Sequence, residues 1–78
     1  MIIKILGTGC KKCVTLTENT RTALANLGRE AEVIKVTEIS EIAAMGVMST
    51  PALAIDDQVL TMGKVLSPAE VEALLKDR

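Results

Sequence analysis

Two cysteines separated by two lysines are the residues of this sequence whose chemistry stands out. A thiolate of the C-x-x-C pair formed by Cys10 and Cys13 could attack a disulfide or bind a soft metal ion. The chain has no histidine and only these two thiols, whereas a closed zinc site usually takes four ligands. Dithiol–disulfide exchange is therefore our main hypothesis, and copper or zinc binding by the same two thiols is the alternative.

The two cysteines are expected to have different roles. Cys10 follows Gly9 where a helix should begin, and unpaired N–H groups and the helix dipole favour an anion there. Lys11 and Lys12 add positive potential around Cys10, unless they only keep the loop solvated. Helical spacing puts Cys13 on the apolar stripe, so we expect Cys10 to attack and the sheltered Cys13 to resolve the mixed disulfide. Without Cys10, Cys13 would be interpreted as a small core residue.

The hydrophobic pattern predicts four strands and three helices in the order β-α-β-α-β-β-α. Because the second strand follows a crossover helix, it should pair parallel to the first. We therefore expect an α/β fold with a four-stranded mixed sheet, formed by one domain over residues 1–78. Ferredoxin-like metallochaperones have the element order β-α-β-β-α-β, so the order predicted here counts against the metal-binding alternative. The predicted strands are Ile2–Leu6, Glu32–Val36, Ala52–Ile55 and Gln58–Met62.

The helices are predicted from apolar spacing and capping residues. A long helix that ends at Gly28 should bury Cys13, Leu16, Thr20, Ala23, Leu24 and Leu27. A short helix capped by Thr37 or Ser40 should run to about Met45, with inward-facing Ile39, Ile42 and Ala43. Ser67-Pro68-Ala69-Glu70 is typical of a capping box, and it should begin a last helix that buries Val71, Leu74 and Leu75.

Three motifs together resemble the thioredoxin superfamily, most closely the small prokaryotic glutaredoxin-like redox-active disulfide proteins. They are Gly7-Thr8-Gly9-Cys10 with Cys13, Thr50-Pro51 and Gly63, and the resemblance covers essentially the whole chain. It implies a thioredoxin-like fold and dithiol–disulfide exchange with no organic cofactor. It also implies that Pro51 is cis and lies with Thr50 beside Cys10, where the Thr50 backbone pairs with an extended stretch of the substrate protein. Considered alone, Pro51 could equally begin a strand in trans geometry.

Departures from the better-known relatives bear on proton transfer and on the electron donor. Thioredoxins bury an acidic residue six positions before the first cysteine, where this chain has Lys4, so proton transfer at Cys13 cannot use that acid. The aromatic and Gly-Gly-x-Asp features with which glutaredoxins bind glutathione are replaced by Lys11-Lys12 and Met62-Gly63-Lys64-Val65. We expect a disulfide-containing substrate protein as one partner and a reductase, thioredoxin-reductase-like rather than glutathione, as the other.

Apolar residues near the proline motif suggest a surface for varied partners. Met48 and Met62, with Val47, are expected to surround the active site as a flexible apolar patch. The alternative is that they fill the core, which is the more common use of methionine.

Composition excludes several classes of partner. The formal charge is −1 and no aromatic residue is present, so a nucleic-acid surface with stacking platforms is not expected. No apolar run approaches the ~20 residues of a membrane span, and the apolar stretch at Met1–Leu6 is too short for a signal peptide. We expect a cytoplasmic monomer without a metal. A non-catalytic binding module with this fold is a third possibility.

Overall fold

The element order is the one that the sequence pattern predicts. A computed structural model describes residues 1–9 and 11–76. All four strands have the predicted bounds, and within the described residues no helix is long and apolar enough to cross a membrane. The elements are β1 (Ile2–Leu6), α1 (Lys11–Leu27), β2 (Glu32–Val36), α2 (Ile39–Ala44), β3 (Ala52–Ile55), β4 (Gln58–Met62) and α3 (Pro68–Lys76).

The four strands form one mixed sheet in the order β2-β1-β3-β4. β1 pairs parallel with β2 and antiparallel with β3, and β3 pairs antiparallel with β4. The parallel pairing of the first two strands is therefore confirmed. β1 and β3 are the two central strands. β1 leads into the C-x-x-C segment and β3 follows the proline motif, so both segments are anchored in the most buried part of the sheet.

Both faces of the sheet are covered, because alternate residues of the central strands enter two different cores. The larger core joins the sheet to α1 and α3, and it includes Ile3, Ile5, Leu16, Leu53, Ile55, Val71 and Leu75. The smaller core lies under α2 and is formed by Leu6, Val36, Ile42, Val47, Ala52 and Ala54. The predicted stripe of α1 is confirmed, although Leu27 is only partly buried.

β3 and β4 form a hairpin joined by the two residues Asp56 and Asp57. Asp56 and Asp57 have φ angles of 49° and 68°. This is the left-handed conformation that a two-residue type I′ hairpin turn requires at both positions. Hydrogen bonds hold the turn against the start of β1, since the Ile2 N–H donates to the Asp56 carboxylate and the Asp56 N–H donates to the Ile2 carbonyl, both at 2.9 Å. These contacts offset part of the cost of the backbone conformation.

The short helix α2 differs from the prediction. Its N-cap is Glu38, without a side-chain capping bond, so neither Thr37 nor Ser40 caps it. Ile42 is buried as expected, but Ile39 is 72% exposed and Ala43 is also exposed. A helix of 6 residues makes fewer than two turns, which leaves only one of its apolar side chains facing the sheet.

The last helix begins with the predicted capping box. The Glu70 N–H donates to the Ser67 hydroxyl, and the Ser67 N–H donates to the Glu70 carboxylate, both at 3.2 Å. Val71 and Leu75 are buried, and Leu74 is half-buried against the larger core. The Ser-Pro-Ala-Glu pattern therefore located this helix start correctly.

Thr61 on β4 is a polar residue that we expect to lower the stability of the protein. Within the described part of the chain, the Thr61 hydroxyl oxygen on β4 is buried without a hydrogen-bond partner. Replacing Thr61 with valine keeps the shape but removes this group, so we expect the free energy of unfolding to rise by about 1 kcal/mol. Urea denaturation of the reduced protein measures the change.

The matched control is Thr20→Val. Thr20 is fully buried on α1, but its hydroxyl donates to the Leu16 carbonyl at 2.8 Å. The same substitution there removes a satisfied hydrogen bond and should lower the free energy of unfolding by about 1 kcal/mol. A loss of stability in Thr61→Val as large as that in Thr20→Val would contradict the assignment of Thr61 as an unsatisfied group.

Candidate active site

The segment that carries the two cysteines joins the central strand β1 to the longest helix. β1 ends at Leu6, and α1 begins at Lys11. Gly9 has a φ of +87°, a conformation that glycine adopts at no steric cost. Cys10 lies outside the described residues. Its role as the attacking thiol therefore stays a prediction.

Cys13 lies in the first turn of α1, on the face that packs against the sheet. Its side chain is only 5% exposed, as the helical spacing predicts, and Leu16 and Thr17 are buried on the same helix. The Thr17 hydroxyl donates to the Cys13 carbonyl at 2.9 Å, inside the helix. The expected shelter of Cys13 is confirmed, and its role in resolving a mixed disulfide stays a prediction.

The proline motif approaches the same point of the structure. The Thr50–Pro51 peptide bond is cis, as the resemblance implies, and Pro51 is buried whereas Thr50 is exposed. The position that a Cβ atom of Gly7 would occupy lies 3.3 Å from the Cys13 Cβ and 3.8 Å from the Thr50 Cβ. The end of β1 thus brings Cys13 and the cis-proline segment together.

Gly63 also belongs to this neighbourhood. Its N–H donates to the Pro51 carbonyl at 2.9 Å, directly after β4 ends. A Cβ at Gly63 would lie 3.2 Å from the Ser49 Cβ, so the chain after β4 packs closely against the segment before Pro51. The two separate motifs quoted from the sequence, Thr50-Pro51 and Gly63, are adjacent in space.

The apolar patch predicted around the site is only partly present. Met48 is 91% exposed and Met62 is 48% exposed. Met48 precedes Ser49 and Met62 precedes Gly63, the two residues that approach each other closely. Val47, however, is buried in the smaller core under α2, so its assignment to the patch was wrong. Val47 packs inward because it directly follows Gly46, which turns the chain back towards the sheet with a φ of +78°.

A small cavity of about 30 Å³ opens beside Cys13, and it involves residues that sequence reasoning missed. Lys35 and Thr37 line it, although they are far from the cysteines in sequence. Lys35 pairs with Ile5 across β1 and β2, and Ile5 also lines the cavity. The parallel register of the two strands is the signal that could have located Lys35. The other lining residues are Gly7, Gly9, Cys13, Val14 and Thr17.

The charged residues around the site are solvent-facing. Lys11 and Lys12 are exposed in the first turn of α1. This first turn contains no acidic residue. Lys4 does not face Cys13, because its ammonium pairs with the Asp57 carboxylate at 2.6 Å, in the turn at the opposite end of β3. Within residues 1–9 and 11–76, the structure has no group of three or more histidine, cysteine or carboxylate side chains that could hold a metal ion.

Comparisons with known proteins agree with this geometry. The family model for the thioredoxin domain matches residues 1–76. The chain is 43% identical over 76 residues to a thioredoxin of Methanocaldococcus jannaschii, covering 97% of this chain and 87% of the relative. It is 40% identical over 75 residues to a thioredoxin of Methanothermobacter thermautotrophicus, covering 96% of this chain and 97% of the relative.

A solved structure shows the same fold at lower sequence similarity. The structure of thioredoxin-2 of the malaria parasite superimposes with a TM-score of 0.72 at 19% identity, covering 99% of this chain and 82% of that one. The thioredoxin-like α/β fold is thereby confirmed. The family model and the two thioredoxin relatives confirm the resemblance to the thioredoxin superfamily. The chain belongs to the thioredoxin domain family, a family of thiol–disulfide oxidoreductases.

Proposed function

We propose that this protein reduces or exchanges disulfides through Cys10 and Cys13. The observation that carries the proposal is the shelter of Cys13, 5% exposed, at the start of a helix and beside a cis-proline segment. In the reaction, the Cys10 thiolate attacks a substrate disulfide and forms a mixed disulfide. The Cys13 thiolate then attacks Cys10 and releases the reduced substrate. Two electrons and two protons pass to the substrate, and the Cys10–Cys13 disulfide remains.

The charge around the start of α1 supports Cys10 as the attacking thiol. Cys10 immediately precedes the first residue of a 17-residue helix, and the amino terminus of a helix favours an anion. Lys11 and Lys12 add two exposed cations there. Both lysines oppose the helix dipole, a local conflict that is typical of a functional site.

The exposed residues around the cis-proline segment support a protein substrate. We propose that the Thr50 backbone pairs with an extended stretch of the substrate, next to Pro51 and Gly63. Met48 and Met62 would contact the apolar side chains of that stretch, because methionine adapts to different surfaces. No organic cofactor is needed for these steps.

The departures from glutaredoxins favour a thioredoxin-reductase-like enzyme over glutathione as the electron donor. The residues that bind glutathione in glutaredoxins have no counterpart at Lys11, Lys12 or Met62–Val65 in the sequence. We propose that the protein works as a cytoplasmic monomer between this reductase and its substrate proteins, without nucleic acid or membrane partners.

The midpoint potential of the Cys10–Cys13 couple tests the proposal. The purified protein is equilibrated in dithiothreitol redox buffers, and free thiols are counted after acid quenching. We expect a reversible two-electron transition at roughly −200 to −270 mV, the range of glutaredoxins and thioredoxins. The Cys13→Ser variant, which cannot form the intramolecular disulfide, provides the baseline.

Failure to form an intramolecular disulfide at any potential would contradict the proposal. The same reduced protein would then be titrated with Cu(I) and with Zn²⁺. Thiol-dependent uptake of either ion at submicromolar concentration would favour the alternative of soft-metal binding.

A further inference from the structure

Gly7, at the end of β1, is a glycine for reasons of space alone. A Cβ atom added there would lie closer than 3.0 Å to the Cys13 Sγ and 3.3 Å from the Cys13 Cβ. Real Cβ atoms essentially never approach another heavy atom within 3.0 Å. The four other glycines, in contrast, all have positive φ angles, so their backbone conformation explains them. At Gly7 the sulfur of Cys13 occupies the volume that a side chain would need.

Neither neighbour can easily move to admit a methyl group. The Gly7 N–H donates to the Val36 carbonyl at 2.9 Å, which ties Gly7 to the adjacent strand β2. Cys13 has a short side chain on a helix whose next turn is anchored by Leu16, a fully buried residue. The sulfur could therefore yield only by rotating about its one χ angle, towards the cavity of about 30 Å³ that Gly7 and Cys13 both line.

We propose that Gly7 is a positioning residue that holds the Cys13 sulfur where it can attack the mixed disulfide. This inference rests on the proposed function. In the step concerned, the Cys13 thiolate attacks the Cys10 sulfur, the Cys10–Cys13 bond forms, and the bond from Cys10 to the substrate sulfur breaks. Cys13 is oxidised, and the substrate sulfur is reduced, leaves with the electron pair and takes a proton from solvent. The direction of approach matters because a displacement of ~1 Å can slow a reaction by about 100-fold.

The test is the Gly7→Ala variant in single-turnover reduction of a fluorescent peptide disulfide. We expect formation of the mixed disulfide at the wild-type rate and its resolution about 100-fold more slowly. We also expect Gly7→Ala to lower the equilibrium constant for closing the Cys10–Cys13 disulfide. Each tenfold fall in that constant makes the midpoint potential about 30 mV less negative. The control is Gly46→Ala. Unlike Gly7, Gly46 has a positive φ, and no heavy atom lies within 4 Å of its Cβ position, so alanine there strains the backbone without crowding the Cys13 sulfur. That variant should lose stability and keep the wild-type resolution rate.

A second measurement tests the geometry in the reduced protein, whatever its activity. Gly7→Ala should increase the equilibrium constant for unfolding. Adding Cys13→Ala should lower that constant again by at least tenfold, because removing the sulfur removes the clash with the new Cβ atom. No recovery in this double-mutant cycle, or resolution by Gly7→Ala at the wild-type rate, would overturn the inference. An inactive wild-type protein with full recovery in the cycle would instead contradict the proposed function and leave the contact between Gly7 and Cys13 established.

Discussion

Replacing Cys10 with serine should abolish disulfide reduction, whereas replacing Cys13 with serine should trap a mixed disulfide with the substrate. The two variants differ because the proposed mechanism uses the thiols in sequence. Without the Cys10 thiolate no bond to the substrate forms, and a serine hydroxyl is not a comparable nucleophile at neutral pH. Without Cys13, which is sheltered on α1, the first bond forms but nothing in the protein breaks it.

Insulin reduction and mass spectrometry measure these outcomes. The Cys10→Ser variant should reduce insulin no faster than the buffer alone. The Cys13→Ser variant, incubated with a peptide disulfide, should gain the mass of one peptide half, which dithiothreitol removes. The Cys10→Ser/Cys13→Ser double variant is the control and should gain no mass. Retained insulin reduction by Cys10→Ser would refute the assignment of Cys10. Unchanged partner affinity in both single variants, with no insulin reduction by the wild-type protein, would favour a non-catalytic binding module.

Leu53→Ala should leave a large fraction of the molecules unfolded at 25 °C. Leu53 is 0% exposed on the central strand β3, where it pairs with Ile5 of β1 and Thr61 of β4. Removing such a leucine side chain costs about 2–5 kcal/mol, through lost burial and the cavity left behind. A core of this size supplies only about 3–5 kcal/mol of net stability. The loss is therefore comparable with the whole free energy of unfolding.

The matched control for the core is Met48→Ala. Met48 is a large apolar residue, but it is 91% exposed, so its truncation should change the free energy of unfolding by less than about 0.5 kcal/mol. Urea denaturation followed by circular dichroism compares both variants with the wild-type protein. A loss below about 1 kcal/mol in Leu53→Ala would show that the sheet relaxes around the smaller side chain, contrary to the packing described.

The sequence pattern was sufficient for the order of the elements and for the burial of Cys13. Short β-branched runs located all four strands, since their residues alternate or run continuously apolar between turn residues. The Ser67-to-Glu70 motif located the start of α3 through local hydrogen bonds alone. The helical spacing of Cys13 from Leu16, Leu24 and Leu27 was enough to predict that Cys13 lies on the buried side of α1, because this depends only on the period of the helix.

Local patterns were less reliable in the segment between β2 and β3. The apolar residues Ile39 and Val47 were expected inside and outside the protein respectively, and the structure has them the other way round. A short helix has no long stripe to define its buried face, so its orientation depends on which side chains fit against the sheet. Here Ile42 and Val47 fill the smaller core together.

Tertiary structure alone decided which distant residues meet at the site. Gly7 and Cys13 are in contact, Lys35 lines the cavity beside Cys13, and Gly63 bonds to Pro51. Each of these pairs depends on strand register or on the packing of a helix across the sheet, not on the sequence next to it. Local hydrogen bonding and hydrophobic period set the elements in this protein. Close packing between elements leaves the Cys13 sulfur in the space that a side chain at Gly7 would need, because two groups of atoms cannot occupy the same volume.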